Sequence, residues 1–542
     1  MLGDELVNRR IGRRSTLAII VCGALSLAAH AQEPSSASVS TQAKSSAATS
    51  SQAMGPVQGT SVPKREWFAP GSGKPFPERL AFPNEWGEIG LINKSGVHDT
   101  TGHPFFEPIG SNGRACVTCH QPADAMSLSL QSIQQRWEQT GGGDPLFDTI
   151  DGANCPDLPR GDPKSHSMLL ERGLFRISLP WPPKSFDGKE IKPEFSIKVI
   201  SDPTGCNLSP KYGLKSAEPR ISVYRRPRMA ANLRYVIDER DDPVFAVFTV
   251  KTGMPFPKDP DTGHRVNLNI MFDGREPNLR TQAITAGLQH MQSHGALSPE
   301  QVKQIVDFES KIYAAQAHHP LAGSLDADGI PKGLGPVRVS TAHASLPGDR
   351  LNTPTFQLFD EWKPPQLQSS GSEADEFRAS VARGSDVFMT KLMWIRDVWT
   401  ITNGGSGNPM KRSCSTCHNS QMTGLDNGPG WFGLGMSTPP WTTPPPAMPL
   451  FELRCHKDAV PHPYEGRVIR TYDPGRALIS GKCVDIGALT IQQSRGLAAR
   501  APYFSNGSAK NIAEVLEFYE RRFDFKYTPQ EKQDLINFLS VL

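Results

Sequence analysis

The chain has 542 residues, 37% of them hydrophobic and 21% charged, with 48 glycines and 48 prolines. That composition excludes a wholly disordered or multi-span membrane chain and describes a loop-rich globular one, long enough for roughly two to four ordinary domains. A formal net charge of +3 is too near balance to indicate nucleic acid or an anionic membrane surface as a partner.

In chain order, residues 1–31 read as a signal peptide. Arg9, Arg10, Arg13 and Arg14 form a basic start, Leu17 to Ala28 is apolar, and Ala29-His30-Ala31 fits a small-x-small cleavage site. The apolar run is well short of the roughly 20 residues that span a bilayer. No membrane span is therefore expected after cleavage, and the expected location is periplasmic or secreted. Residues 32–66 form a Ser/Ala/Gln/Thr tract that cannot bury enough apolar surface to fold, and they read as a disordered linker.

Two motifs carry the chemistry: Cys116-Val117-Thr118-Cys119-His120 and Cys414-Ser415-Thr416-Cys417-His418. With 9 Cys and 14 His in the chain, chance would supply roughly 0.004 such CxxCH matches. The spacing lets two thioether bonds anchor one turn of chain to a porphyrin edge while the adjacent His ligates the iron. Zinc would want a second Cys/His pair close by, and neither motif has a convincing one. The expectation is two covalently bound haem c groups, attached through Cys116, Cys119, Cys414 and Cys417, with His120 and His418 as iron ligands.

Of the other cysteines, Cys22 leaves with the signal peptide, and Cys155, Cys206, Cys455 and Cys483 remain. An even remainder in an oxidising compartment suggests disulfides. Cys155 with Cys206 and Cys455 with Cys483 is the economical pairing among three possible connectivities.

The patterns predict helices over Ser129–Gln139, Leu279–His290, Pro299–Ala315, Glu373–Thr390 and Ser508–Arg522, and a final helix opened by the capping box Thr528-Pro529-Gln530-Glu531. Phe195 to Ile200 alternates like a strand. Because the motifs stand 298 positions apart, separate haem domains are expected. The predicted fold is mainly α, with two cytochrome c-type domains in tandem: 67–349, carrying a loop and strand insertion at about 143–225, and 350–542.

Three segments resemble the bacterial di-haem cytochrome c peroxidase and MauG family. They are Arg495 to Ser508 (RGLAARAPYFSNGS) with the helix after it, Met271-Phe272-Asp273-Gly274-Arg275, and Arg383-Gly384-Ser385-Asp386-Val387-Phe388 before the second haem. The resemblance implies peroxide chemistry at one haem and electron entry through the other from a small redox donor protein or electron carrier. It also implies departures from the family pattern. The relay Trp corresponds to Phe272. The distal Glu that assists O–O cleavage falls at Gln292, with His290 as a competing candidate, and an amide cannot shuttle a proton. The His after Tyr-Phe becomes Ser505. The Thr that helps to bind an interdomain calcium becomes Arg500, whose guanidinium can replace the ion. The sixth ligand of the second haem falls at Tyr519, as in MauG, with Met422, Met436 and Met448 as rivals.

The expected function is a di-haem oxidoreductase of this type using peroxide, or dioxygen on an organic substrate. The alternative is a di-haem electron-transfer cytochrome without substrate chemistry.

Overall fold

The computed structural model describes residues 64–185, 188–237, 270–341, 358–367, 370–399, 407–418, 423–424 and 431–542. The expected signal peptide, the linker up to residue 63, the boundary expected at 349/350 and Met422 lie outside the described residues.

The first core is built on a four-stranded antiparallel sheet. The strands Arg79–Asn84 and Gly87–Asn93 form a hairpin, Ile312–His319 pairs with the second of them, and Gly323–Ser324 completes the order. Gly87 has φ +125°, and a Cβ there would stand 2.2 Å from the His318 carbonyl oxygen, so the close approach of these strands requires glycine. Ile89 and Leu91 bury one sheet face against Phe105, Val117, Ile305 and Phe308, the core that holds the first CxxCH turn. Ile92, Tyr313 and Ala315 bury the opposite face against Leu279 and Val339.

The second core joins the helices Glu373–Thr390 and Pro529–Ser540. They meet so closely that a Cβ on Gly384 would lie 2.0 Å from the Asp534 carbonyl oxygen. The Asp534 side chain accepts hydrogen bonds from Ser380 at 2.5 Å and Arg383 at 3.0 Å. The Arg383-Gly384 segment is thus a helix-packing element. Thr528 and Glu531 form the expected capping box on the last helix.

A third core is shared by distant parts of the sequence. The strands Phe175–Pro180 and Arg220–Arg225 pair with each other, while Phe195–Ser201 pairs with Leu450–Cys455, which in turn pairs with Val468–Thr471. Ile177, Phe195, Val223, Phe451, Leu453 and Ile469 close the space between them. The disulfides Cys155–Cys206 and Cys455–Cys483 form here, in the economical pairing.

The mainly α expectation is overturned. Among the described residues helix accounts for 30% and strand for 19%, in five small sheets, and a cytochrome c helical fold is not shown. The physical reason is visible at Pro299–Ala315. The helix stops at Glu309, and Ile312–His319 is a strand. Its Ala-rich sequence favours helix locally, but the free edge of the Gly87–Asn93 strand needs backbone hydrogen-bond partners, and that tertiary demand outweighs propensity. The 450–471 region likewise supplies two strands, anchored by Phe195–Ser201 far earlier in the chain. Among the described residues, no helix is long and apolar enough to cross a membrane.

Candidate functional site

Both CxxCH motifs fold into the same turn. Cys116–Thr118 and Cys414–Thr416 are single 3-10 turns, and the amide of His120 or His418 donates to the carbonyl of the first cysteine at 3.1 or 2.9 Å. Six residues on, each chain segment folds back beneath its histidine. Nδ1 of His120 lies 3.0 Å from the Met126 carbonyl oxygen, and Nδ1 of His418 lies 3.2 Å from that of Gly424. A carbonyl only accepts, so Nδ1 carries the proton in both rings and Nε2 keeps its lone pair. This is the tautomer that a metal-binding imidazole presents.

The fold-back relies on left-handed backbone at matching places. Ala125 and Met126 have φ +57° and +58°, and Thr423 and Gly424 have φ +56° and +91°. Three of these four residues are not glycine, so each pays a local conformational cost that the surrounding structure must offset. Burial pushes the pKa of both His120 and His418 down, favouring the neutral ring.

His418, Cys414 and Cys417 open into an apolar cavity of about 200 Å³. Phe388, Met393, Ile395, Phe432, Leu516 and Phe523 form much of its wall. Burial raises the Cys414 thiol to about 11. Tyr519 enters from the helix Ile512–Phe523, with Ile512 and Leu516 facing the same space. Its hydroxyl stands 3.1 Å from Nε2 of His418 and, given the tautomer, donates to it. Burial pushes the Tyr519 phenol well above its ordinary range, and the nearby Cys414 and Cys417 push the same way. Of the rival ligands, Met436 lines this cavity. Met448 packs with Met168, Leu174 and Tyr224 in another cluster, away from His418.

At the first turn, Cys116 and Cys119 pack into neighbouring apolar clusters, and burial raises the Cys119 thiol to about 12. His290 does come to this turn, close enough to act electrostatically on His120. Its Nδ1 lies 2.5 Å from Oδ2 of Asp151, and the other carboxylate oxygen of Asp151 pairs with Arg114. Burial alone would raise Asp151, but the Arg114 guanidinium and the His290 hydrogen bond hold it below the usual carboxylate range. Gln292 sits two residues past His290 in a left-handed conformation, φ +52°, and its carbonyl accepts from the Ser111 amide. Glu309 is buried beside Cys116, which feels its charge. Burial raises Glu309 to about 8.

The segment Arg225–Met229 runs between the two turns. The Ala230 amide donates to the Met126 carbonyl, and Ser127 donates to Pro227. Arg228 reaches the other way, to Thr490 and Ile491, and its guanidinium lies 5.6 Å over the Phe272 ring. Phe272 itself faces the second cavity. Next to it Asp273 is clamped by Arg275 and Arg225. Burial would raise its pKa, but the two cations hold it well below the carboxylate range. Arg500 donates to the carbonyls of Arg495 and Gln493, so a fixed cation occupies that junction. Ser505 accepts the Arg226 amide.

These residues fit a covalent tetrapyrrole. Each turn offers two thiols that take no part in disulfides and a histidine in ligand tautomer, and the second turn adds a cavity far larger than peroxide would need. Among the described residues no group of three or more His, Cys, Asp or Glu is gathered to hold a metal ion. A porphyrin brings four ligands of its own and asks the protein for only one or two. One adjustment is needed at Tyr519. A metal held by Nε2 would take the lone pair that now accepts from the phenol, so the present hydrogen bond would have to open.

Sequence reasoning missed Asp151, Arg114, Arg226, Arg228 and Met393. Their signal lies in long-range packing, since Asp151 and His290 are 139 positions apart. Compared with models of known protein families and with curated proteins, the chain matches none.

Proposed function

We propose that the chain is an exported di-haem c-type oxidoreductase, holding one haem at Cys116, Cys119 and His120 and the other at Cys414, Cys417 and His418. The observation that carries this reading is the repeated turn: two CxxCH segments with the same histidine tautomer, fixed by the same fold-back six residues on. Two disulfides agree with an oxidising compartment.

When bound, haem supplies the one-electron and oxygen chemistry. The chain's own residues set its conditions. His120 and His418 are held neutral, with Nε2 as the available ligand atom. The apolar wall of the cavity at His418 lowers the local dielectric, and Tyr519 would offer an oxygen donor beside His418. At the first haem, His290, oriented by Asp151, is the group that can hold or move a proton during reaction with peroxide or dioxygen. The Gln292 amide cannot. Phe272 lines the path toward the second cavity where a more easily oxidised ring would relay charge.

The second reading, electron transfer without substrate chemistry, is favoured by Phe272, Gln292 and an oxygen donor already beside His418. Electron paramagnetic resonance of the as-isolated protein, repeated after adding peroxide, separates the two. A high-spin ferric signal that disappears with peroxide supports the oxidoreductase. Two low-spin irons indifferent to peroxide support electron transfer alone.

A further inference from the structure

Arg226, Arg228 and Arg500 converge where the two turns approach each other. Arg226 and Arg500 are 6% and 9% exposed, and Arg228 is half-buried. Arg226 donates to the carbonyls of Arg172, Leu128 and Arg500, Arg228 to those of Met271 and Ile491, and Arg500 to those of Gln493 and Arg495. Among the described residues none of the three has a carboxylate within ion-pair distance. The acids that act on them are engaged elsewhere. Asp124 is set against Arg65, and Asp273 is shared by Arg225 and Arg275. Tyr503, which also faces Arg226 and Arg500, is kept neutral because burial raises its pKa. Desolvation pushes all three guanidiniums down to about 10, and Arg500 further lowers both Arg226 and Arg228.

Three cations gathered with no carboxylate at ion-pair distance among the described residues are costly, because carbonyl dipoles only partly replace water. Such an arrangement is stabilised by an anion brought from outside the chain. Arg226 and Arg500 also line the cavity that holds His418, and Ser127 and Pro227, on the same wall, connect it to the first turn.

We propose that Arg226, Arg228 and Arg500 form a carboxylate-binding site between the two haem-attachment turns, occupied by haem propionates. This rests on the di-haem reading. Guanidinium forks suit carboxylates bidentately. Filling the site neutralises the cluster and ties both prosthetic groups to one junction. The arginines hold the propionates ionised across neutral pH and favour the ferrous state of the haem they serve.

The test uses the haem-loaded full chain with Arg226→Gln, Arg500→Gln and Arg500→Lys. Mass spectrometry first counts covalent haem, so absence of haem from the wild type marks failure of the di-haem reading itself. In a two-haem wild type, at least one reduction potential should stay constant between pH 5 and 8. Each Gln variant should lower that potential and make it pH-dependent, and Arg500→Lys should restore most of it. Gln variants that keep both haems, with potentials and pH profile unchanged, would overturn the proposal, even if their stability falls from lost carbonyl contacts. A saturable shift of the wild-type potential on adding inorganic phosphate, absent in Arg500→Gln, would show a free anion in the site and overturn the assignment to propionates. Should Arg500→Gln fail to fold, Arg226→Gln carries the same comparison.

Discussion

The Tyr519 phenol oxygen stands 3.1 Å from Nε2 of His418, with the two rings edge-on at 89°. Both atoms have the lone pairs that a ligand needs, yet burial keeps the phenol protonated, so a phenolate requires a cation strong enough to displace that proton. Ferric iron is such a cation, and a hard oxygen ligand would lower its potential. Tyr519→Met should raise the potential of the second haem and create a thioether-to-iron band near the red end of the ferric spectrum. A wild-type protein already showing that band, lost on mutating Met436 or Met422, would remove Tyr519 from the iron.

At the first turn, the Asp151–His290 pair sets a different expectation. Asp151→Asn keeps the shape but loses the charge that orients and polarises the imidazole. Peroxide turnover should fall in both His290→Ala and Asp151→Asn, while Gln292→Glu should add little if His290 is the proton carrier. A large gain in Gln292→Glu with no loss in His290→Ala would return the role to position 292.

Glu309 gives a stability test with a definite sign. Its folded pKa is raised to about 8 by burial, against an unfolded value near 4.3. Between those values the folded chain binds a proton that the unfolded chain has released, so stability must fall as pH rises through this window. Glu309→Gln should match the wild type near pH 4.5 and exceed it in urea midpoint at pH 8. Equal midpoints at both pH values would mean that Glu309 is not a buried neutral acid.

The helix contact at Gly384 can be tested by volume alone. With the Asp534 carbonyl oxygen 2.0 Å from the position of an added Cβ, Gly384→Ala must push the two helices apart. Overpacking of this kind costs about 1–3 kcal/mol. The loss should appear as a lower denaturant midpoint, and an unchanged midpoint would mean that the helices are not in this register.

Local chemistry was legible in the sequence, and long-range pairing was not. The CxxCH turns, the Ser129 cap of the helix Leu130–Thr140, the Thr528–Glu531 capping box and the disulfides all depend on a few neighbouring residues or on cysteine parity. The strand Ile312–His319 looks helical because its partner lies more than two hundred positions earlier. The same holds for Leu450–Cys455 beside Phe195–Ser201. Around the site, His290 was visible as a candidate, but its orienting Asp151 and that residue's anchor Arg114 come together only through the fold. Of the three arginines between the turns, Arg500 was visible within the RGLAARAPYFSNGS segment, while Arg226 and Arg228 come near it only through the fold.

The most direct test is a count of covalent haem on the mature protein, expressed where c-type haem is attached and read by intact-mass spectrometry after denaturation. The expected result is two haem masses in the wild type, one in Cys116→Ala/Cys119→Ala and one in Cys414→Ala/Cys417→Ala. A fully matured wild-type chain carrying a single haem, or none, would contradict the central claim.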